Sequence, residues 1–331
     1  MKLTIALIVA GIILGTAPVA LADARPAVIF DLGGKYDKSF NEASYVGAER
    51  FREETGISYR EFELQSDAQR EQSLRRFAQQ GQNPIVVTGF SWGQAVKAVA
   101  PDYPDTKFVL VDSVVDLPNV RSVTFKEHEG SYLTGLLAAM ASRSNKIGFV
   151  GGMDIPMIRA FACGYRQGAK SADSDITVFE NMAGTTGAAW RDPVKGGELA
   201  KSQIGRGADV IYHAAGGTGI GVLQAAADAG VLGIGVDKNQ NGLHPGKVLT
   251  SMLKRVDVAV YQAMMDVHNG TFSSGIQSLG LAENGVDVAI DENNEALISD
   301  ELAGALDAAK KSIISGAISV HDYRTDDTCP F

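Results

Sequence analysis

Polar residues follow several short apolar runs of the sequence, at the points where those runs end. They comprise Asp31, Gly89-Phe90-Ser91, Asp112, Gly216-Gly217 and Asp237. In open α/β sheets, small molecules bind in the crevice outside the carboxyl ends of the strands. Carboxylates and backbone amides at such an edge can hydrogen-bond to a polar ligand, so we expect these positions to line one cleft.

A glycine-rich segment, Gly216-Gly217-Thr218-Gly219-Ile220-Gly221, follows a predicted strand and opens a predicted helix. Its backbone can therefore approach a ligand closely. Asp237 lies 20 residues after Gly217, the spacing at which a dinucleotide fold places its ribose-binding acid. The glycines follow Gly-x-Gly-x-Gly rather than Gly-x-Gly-x-x-Gly, which argues against a nicotinamide cofactor. A contact between Asp237 and ribose hydroxyls stays open, as does a purely structural glycine-rich turn.

Catalytic and metal-binding patterns are sparse in this chain. The five histidines show neither His-x-x-Glu-His nor zinc-ligand spacing, and the phosphate-binding Gly-Lys-Ser/Thr does not occur. We therefore expect no catalytic residue, no metal and no cofactor.

Three aromatic residues, Phe40, Phe90 and Trp190, fall in predicted loops or helix starts. Each taken alone is explained by packing between lobes. Together, near acids at strand ends, they suggest stacking walls for a flat ligand.

Only two cysteines are present, Cys163 on a predicted helix and Cys329 beside the C-terminus. In an oxidising compartment they could pair and attach the C-terminal segment to the second half of the protein. A buried Cys163 with a free, reactive Cys329 is the alternative.

These residues are positioned by strands that alternate with helices. Predicted strands occupy residues 27–30, 85–88, 108–111, 146–150, 210–213 and 234–236. Strands that are continuous apolar runs separated by helices indicate parallel sheets covered on both faces. Ser39-Phe40-Asn41-Glu42 fits a capping box and predicts a helix from Ser39 to about Glu54. Ser66-Asp67-Ala68-Gln69 predicts another helix start.

Two sets of strands predict an α/β protein of two doubly wound lobes. We assign residues 23–126 plus about 252–290 to the first lobe, and 127–251 plus about 291–331 to the second. The 331 residues are 45% hydrophobic and 21% charged, which excludes a disordered chain. With 39 acidic and 30 basic residues, the chain is a poor partner for nucleic acid.

The first 22 residues have the pattern of a secretory signal peptide. Met1-Lys2 is followed by an uncharged apolar run, and Ala20-Leu21-Ala22 forms a small-x-small cleavage site before Asp23. An uncleaved anchor helix is the alternative, since residues 3–22 could nearly span a bilayer. No cysteine stands near the cleavage point to carry a lipid, so we expect a soluble periplasmic protein.

Several segments in order along the chain resemble signatures of the basic membrane protein family. They are residues 31–41 (DLGGKYDKSFN), 127–135 (EHEGSYLTG), 148–153 (GFVGGM), 192–196 (DPVKG), 213–219 (HAAGGTG) and 251–257 (SMLKRVD). The resemblance implies an exported substrate-binding protein of an ABC importer, with the type I periplasmic-binding-protein fold. It further implies a purine-nucleoside ligand.

The resemblance also implies roles for individual residues. Phe40 and Trp190 would stack on the two faces of the base, although the family usually carries Phe at the second position. Asp112 would read the base edge, while Asp237 would hold the ribose hydroxyls beside the cation Lys254. Asn41 and Gly217 would add polar contacts, and Asp31 and Phe90 complete the predicted site. Many members are lipoproteins, whereas this sequence lacks the lipid-bearing cysteine.

The sequence therefore predicts a monomeric periplasmic receptor that closes on a nucleoside by hinge motion, catalyses nothing and delivers the ligand to an ABC permease. A sugar receptor of the same fold is the nearer alternative. An exported enzyme acting on nucleosides is a second alternative, and a ligand-presenting subunit of a sensor is a third.

Overall fold

The computed structural model describes residues 24–331. The predicted signal peptide and its cleavage site at Asp23 lie outside the described residues. Within residues 24–331, no helix is both long enough and apolar enough to span a bilayer.

Strands and helices alternate along most of the chain. The strands are β1 (Ala27–Phe30), β2 (Arg60–Glu63), β3 (Ile85–Thr88), β4 (Phe108–Val111), β5 (Val120–Phe125), β6 (Lys146–Met153), β7 (Thr177–Gly184), β8 (Val210–Ala214), β9 (Leu232–Asp237), β10 (Val248–Lys254), β11 (Gly275–Leu279) and β12 (Val286–Val288). The helices are α1 (Phe40–Thr55), α2 (Arg70–Gln79), α3 (Gly93–Val99), α4 (Glu127–Ala141), α5 (Pro156–Ala172), α6 (Pro193–Gly205), α7 (Thr218–Asp228), α8 (Val256–His268) and α9 (Asp300–Ile314).

The strands form two six-stranded sheets, ordered β11-β5-β4-β3-β1-β2 and β12-β10-β9-β8-β6-β7. Every pairing is parallel except that of β12 with β10. The side chains of β1, β3 and β4 are completely buried, as expected for apolar strands covered on both faces. The predicted architecture of two doubly wound parallel lobes is confirmed.

The structure divides residues 252–290, which were assigned to the first lobe, between the two lobes. β10 and β12 belong to the second sheet, and only β11 joins the first. α8 returns to the first lobe, because Gly47 of α1 lies against the backbone of Asp257. The chain therefore crosses between lobes after Lys254 and again after β11. The short antiparallel β12 finds its partner on the free edge of β10, a pairing that no local sequence pattern encodes.

The C-terminal segment returns to the second lobe. Cys163 on α5 and Cys329 form a disulfide, with their Cα atoms 5.6 Å apart. The Gln167 amide of α5 also accepts a hydrogen bond from His321 N and donates one to Ser319 O. The last residues are thus attached covalently and by hydrogen bonds to the helix that follows β6.

Candidate functional site

A cleft between the two lobes collects the ends of strands from both sheets, with about 560 Å³ of space including its open mouth. The sequence-predicted residues that line it are Asp31, Phe40, Asn41, Phe90, Asp112, Trp190, Asp237 and Lys254. Gly89 and Gly216, which were also expected at strand ends, line it as well. Eight further lining residues were not predicted: Leu32, Asp37, Met157, Ile158, Phe161, Ala214, Ala215 and Val236.

Gly217 is absent from the lining of this cleft, whereas its neighbour Gly216 is present. Gly216 has a φ of +56°, a conformation that favours glycine, and it turns the chain from β8 into α7. Gly217 instead lies beneath the Trp190 carbonyl. The glycine-rich segment therefore lets the chain carrying Trp190 approach the start of α7.

Trp190 is held by a short helical turn, Gly187–Trp190, that follows β7. The Thr218 hydroxyl of α7 donates to Ala189 O and accepts from Asp192 N, both at 2.8 Å, so the backbone on either side of Trp190 is fixed. The indole lies on Gly152 of β6, where an added Cβ would come within 2.3 Å of the ring. Gly152 therefore makes room for the indole at the edge of the cleft.

The other two predicted aromatic residues come from the first lobe. The Phe90 ring centre is 6.5 Å from that of Trp190, with the planes tilted by 59°. Phe40 is the first residue of α1 and is half-buried in the same cleft. The three rings give the cleft flat apolar surfaces from both lobes.

Asp112 follows β4 and is 2.7 Å, Oδ2 to Nζ, from Lys254 at the end of β10. This ion pair joins the two lobes, and both side chains are only 2% exposed. Burial raises the pKa of the Asp112 carboxyl to about 6, although the Lys254 ammonium favours its ionised form. Asp112 Oδ1 is buried without a hydrogen-bond partner among residues 24–331, so it is an acceptor available to a ligand.

Glu127, which sequence analysis did not select, completes the surroundings of Lys254. Glu127 Oε1 is 3.0 Å from Lys254 Nζ, and its side chain is 1% exposed. Burial alone would lower the pKa of Lys254, but Asp112, Glu127 and Asp237 together raise it. Lys254 is therefore a permanent cation among three buried carboxylates.

Asp237, at the end of β9, occupies the equivalent place in the second lobe. Its Oδ2 accepts a hydrogen bond from the Ser39 hydroxyl of the first lobe, and burial raises the pKa of its carboxyl to about 6. Asp112 and Asp237 have φ values of +70° and +67°, in the left-handed region that few residues other than glycine adopt. Such strain is often found at binding sites, where the surrounding structure maintains it.

The predicted capping box at the start of α1 is wrong in its chemistry. Ser39 is the N-cap residue, but its side chain makes no capping hydrogen bond. The Asp37 carboxylate accepts instead from the backbone N–H groups of Ser39, Asn41 and Glu42, at 2.8 to 3.1 Å. Because Asp37 caps the helix in place of Ser39, the Ser39 hydroxyl is free to reach Asp237 across the cleft.

Asn41 and Asp31 are engaged within the first lobe. Asn41 Oδ1 accepts from Asp31 N, and Nδ2 donates to the carbonyls of Asp31 and Gly34. Asp31 Oδ1 accepts from Arg70 Nη2 at 2.7 Å, while its Oδ2 lies where a Cβ on Gly89 would be. Burial raises the pKa of Asp31, and Arg70 opposes that shift. Asn41 thus fixes the loop after β1, and Asp31 presents a paired carboxylate.

Residues 89–93 have the Gly-x-Ser-x-Gly spacing of a nucleophile elbow and join β3 to α3. A serine nucleophile needs a hydrogen-bonded base. No hydrogen bond among residues 24–331 joins Ser91 to a histidine. His213, which lies within β8, bonds Gln240 instead, and burial lowers its pKa to about 4. The described part of the chain also contains no cluster of side chains suited to a metal ion.

Comparisons with known proteins agree with this geometry. The family model Bmp, described as ABC transporter substrate-binding protein PnrA-like, matches residues 24–324. The ABC transporter nucleoside-binding protein BmpA of Lactococcus lactis subsp. cremoris is 36% identical over 330 residues, covering 92% of this chain and 91% of the relative. An uncharacterized lipoprotein of Pyrococcus abyssi is 36% identical over 278 residues, or 79% of this chain and 68% of the relative.

Among solved structures, an ABC transporter system solute-binding protein from Aeropyrum pernix K1 superposes with a TM-score of 0.84. It is 31% identical, and the match covers 92% of this chain and 95% of that one. The similarity extends over both lobes and therefore over the cleft between them.

Proposed function

The chain belongs to the Bmp family of ABC transporter substrate-binding proteins, and we propose that its ligand is a purine nucleoside held between the lobes. One observation carries the proposal: flat aromatic surfaces and buried carboxylate acceptors share one cleft. Phe40 and Trp190 line it together with Asp112 and Asp237. A nucleoside combines a planar base with a sugar whose hydroxyls donate hydrogen bonds, so it complements both features.

The geometry supports a division of roles within the cleft. Phe40 and Trp190 stack on the base, and Asp237 accepts hydrogen bonds from the ribose hydroxyls. Asp112 offers the unpartnered Oδ1 to a donor on the ligand, while Lys254 keeps Asp112 ionised. Asn41 contributes by fixing the loop that precedes Phe40, since its amide groups are already bonded there.

The interaction energies suffice for a physiological affinity. Stacking of a base on an aromatic side chain contributes about 1–3 kcal/mol. Hydrogen bonds to charged groups contribute about 1.5–3 kcal/mol each. A micromolar dissociation constant corresponds to about 8 kcal/mol, so two stacking faces and two or three charged contacts reach it after the cost of ordering the ligand.

Isothermal titration calorimetry tests the proposal on protein that has been unfolded and refolded to remove co-purified ligand. Inosine, guanosine and adenosine are titrated beside free purine bases, ribose, glucose and NAD. We expect micromolar or tighter binding of at least one nucleoside, and none of ribose or the free base. Binding of a free sugar in place of every nucleoside would identify a sugar receptor of the same fold and overturn the assignment.

The remaining parts of the proposal concern location, partners and fate of the ligand. We propose a periplasmic monomer that delivers the nucleoside to an ABC permease and leaves it chemically unchanged. Cell fractionation and sedimentation test the first two properties. Chromatography of the bound ligand tests whether it is left unchanged, since an enzyme acting on nucleosides would release base or ribose. The name of the Pyrococcus relative makes lipid attachment the alternative to a soluble form.

A further inference from the structure

The C-terminal segment reaches the buried charges of the cleft. Arg324 lies in a short helical turn, Tyr323–Thr325, five residues before the disulfide-bonded Cys329. Its Nη1 is 2.9 Å from Glu127 Oε2, at the start of α4. The two carboxylate oxygens of Glu127 are thus divided between two cations, Arg324 on one side and Lys254 on the other.

A continuous series of ion pairs connects this segment with the cleft. It runs from Arg324 through Glu127 to Lys254, and from Lys254 to Asp112, with every link between 2.7 and 3.0 Å. Glu127, Lys254 and Asp112 are at most 2% exposed. Charges this deeply buried are sensitive to the loss of a partner, because water cannot replace it.

Arg324 is itself held in a fixed orientation. The Asp322 carboxylate accepts from Arg324 Nε at 2.9 Å and from Nη2 at 2.9 Å, and Nη2 also donates to Phe125 O at 3.1 Å. His128 Nδ1 lies 3.6 Å from Asp322 on the other side. These contacts fix the orientation of the guanidinium, and in that orientation Nη1 faces Glu127.

The covalent attachment of the segment involves a helix that lines the cleft. α5 contributes Met157, Ile158 and Phe161 to the lining, and Cys163 follows on the same helix. Lys254 Nζ is also 3.9 Å from Met157 Sδ. The disulfide therefore attaches the segment that carries Arg324 to a helix that lines the cleft.

We propose that Arg324 is a positioning residue for ligand binding, which acts through Glu127 and Lys254 on Asp112, and that the Cys163–Cys329 disulfide holds it in place. The proposal rests on the assignment of the cleft as a nucleoside site. Arg324 neutralises one side of Glu127, so Lys254 stays beside Asp112. Without Arg324, Glu127 competes for Lys254, and Asp112 loses the cation that keeps it ionised and oriented toward the ligand.

The test compares the variants Arg324→Met, Arg324→Lys and Cys329→Ser with the matched control Arg166→Met. The side chain of Arg166 is 28% exposed, like that of Arg324, and it forms an ion pair with Glu180 that does not belong to this series. Calorimetry with inosine, guanosine and adenosine gives the dissociation constants. We expect about tenfold weaker binding for Arg324→Met, recovery to within about threefold for Arg324→Lys, and no change for the control. Cys329→Ser weakens binding in the same direction and adds nothing to Arg324→Met.

A second background separates positioning from simple structural support. In Glu127→Gln protein the competing carboxylate is gone, so adding Arg324→Met leaves the dissociation constant unchanged. A structural role through Asp322 and Phe125 would instead produce the same loss in both backgrounds and overturn the proposal. Equal affinity of wild-type protein and Arg324→Met would also overturn it.

A ligand-independent measurement keeps the two proposals distinguishable. The carboxyl carbon of Asp112, assigned with Asp112→Asn, is titrated by NMR in ligand-free protein. We expect a higher midpoint in Arg324→Met than in wild-type protein or Arg166→Met, and an unchanged midpoint overturns the positioning role. If the wild-type protein binds no nucleoside, the proposed function fails, whereas the Asp112 titration still decides whether Arg324 acts on this carboxyl.

Discussion

Lys254 and Asp112 belong to different lobes, and their side chains meet in an ion pair of 2.7 Å that is almost completely buried. Lys254 ends β10 of the second sheet, whereas Asp112 follows β4 of the first. Opening of the cleft would separate the two charges, each of which would then need water in place of its partner. The pair therefore links closure of the lobes to the ionisation of Asp112, the carboxylate that we propose faces the ligand.

Replacing Lys254 by Met removes the cation shared by three buried carboxylates. We expect the free energy of unfolding to fall by about 3–5 kcal/mol, because Asp112, Glu127 and Asp237 remain buried with less compensation. The matched control is Lys238→Met, since Lys238 also crosses between lobes, 2.7 Å from Glu42, but is 29% exposed. That change should cost about 1 kcal/mol or less. Equal losses in urea denaturation would contradict the importance of burial.

Trp190 offers a test of the stacking surface. Trp190→Ala should weaken binding of each nucleoside by about 1–3 kcal/mol, since stacking depends little on which base is present. Trp190→Phe keeps an aromatic face and should remain within about threefold of wild type. Calorimetry with adenosine, guanosine and inosine measures the effect. An unchanged affinity in Trp190→Ala would show that the indole only packs on Gly152.

The central strands of both sheets could be predicted from the sequence because each is a continuous apolar run. β5 could not, since Arg121 and Ser122 interrupt it, and Arg121 is accommodated by an ion pair of 2.6 Å with Asp266. The edge strand β11 is half-exposed and β12 has only three residues. Their positions depend on partner strands distant in sequence, which explains why β12 was assigned to the first lobe although it pairs with β10 in the second sheet.

The expectation that ligands bind at the carboxyl ends of parallel strands correctly placed Asp31, Asp112 and Asp237 in the cleft, because such strands end at a common edge. It could not identify Glu127 or Arg324, which are brought together over 197 residues of chain by tertiary contacts. Nor could it show which polar atoms are already bonded, as in Asn41. The lining helix α5 had a detectable signal, since it too follows the end of a strand, β6.

Asp37 and Ser39 have separable effects. Asp37→Ala removes a carboxylate that accepts three backbone hydrogen bonds at the start of α1, so the free energy of unfolding should fall by about 1–2 kcal/mol. Ser39→Ala leaves that cap intact but removes the hydrogen bond to Asp237 across the cleft. It should change nucleoside affinity more than stability. Thermal unfolding and calorimetry on both variants distinguish the roles, and a larger stability loss for Ser39→Ala would contradict them.

Nucleoside affinity should depend on pH near 6. Burial raises the pKa values of Asp112 and Asp237 to about 6 in the ligand-free protein. Ligand hydroxyls that donate to a carboxylate favour its ionised form. Below about pH 6 these carboxyls are protonated, so each must lose its proton before the ligand binds. Affinity therefore rises with pH and levels off above about 7, and at pH 5 it should be about tenfold weaker per carboxylate than at pH 7.5.

The variant Asp237→Asn separates the contributions to this pH dependence. It cannot ionise, so its affinity should be lower at pH 7.5 and should vary less between pH 5 and 7.5 than that of wild-type protein. His213 does not contribute, because its pKa of about 4 keeps it neutral throughout this range. Asp37, with a pKa also raised to about 6 by burial, titrates in the same range and requires the parallel variant Asp37→Asn. A constant wild-type affinity from pH 5 to 7.5 would mean that neither Asp112 nor Asp237 binds the ligand as a carboxylate.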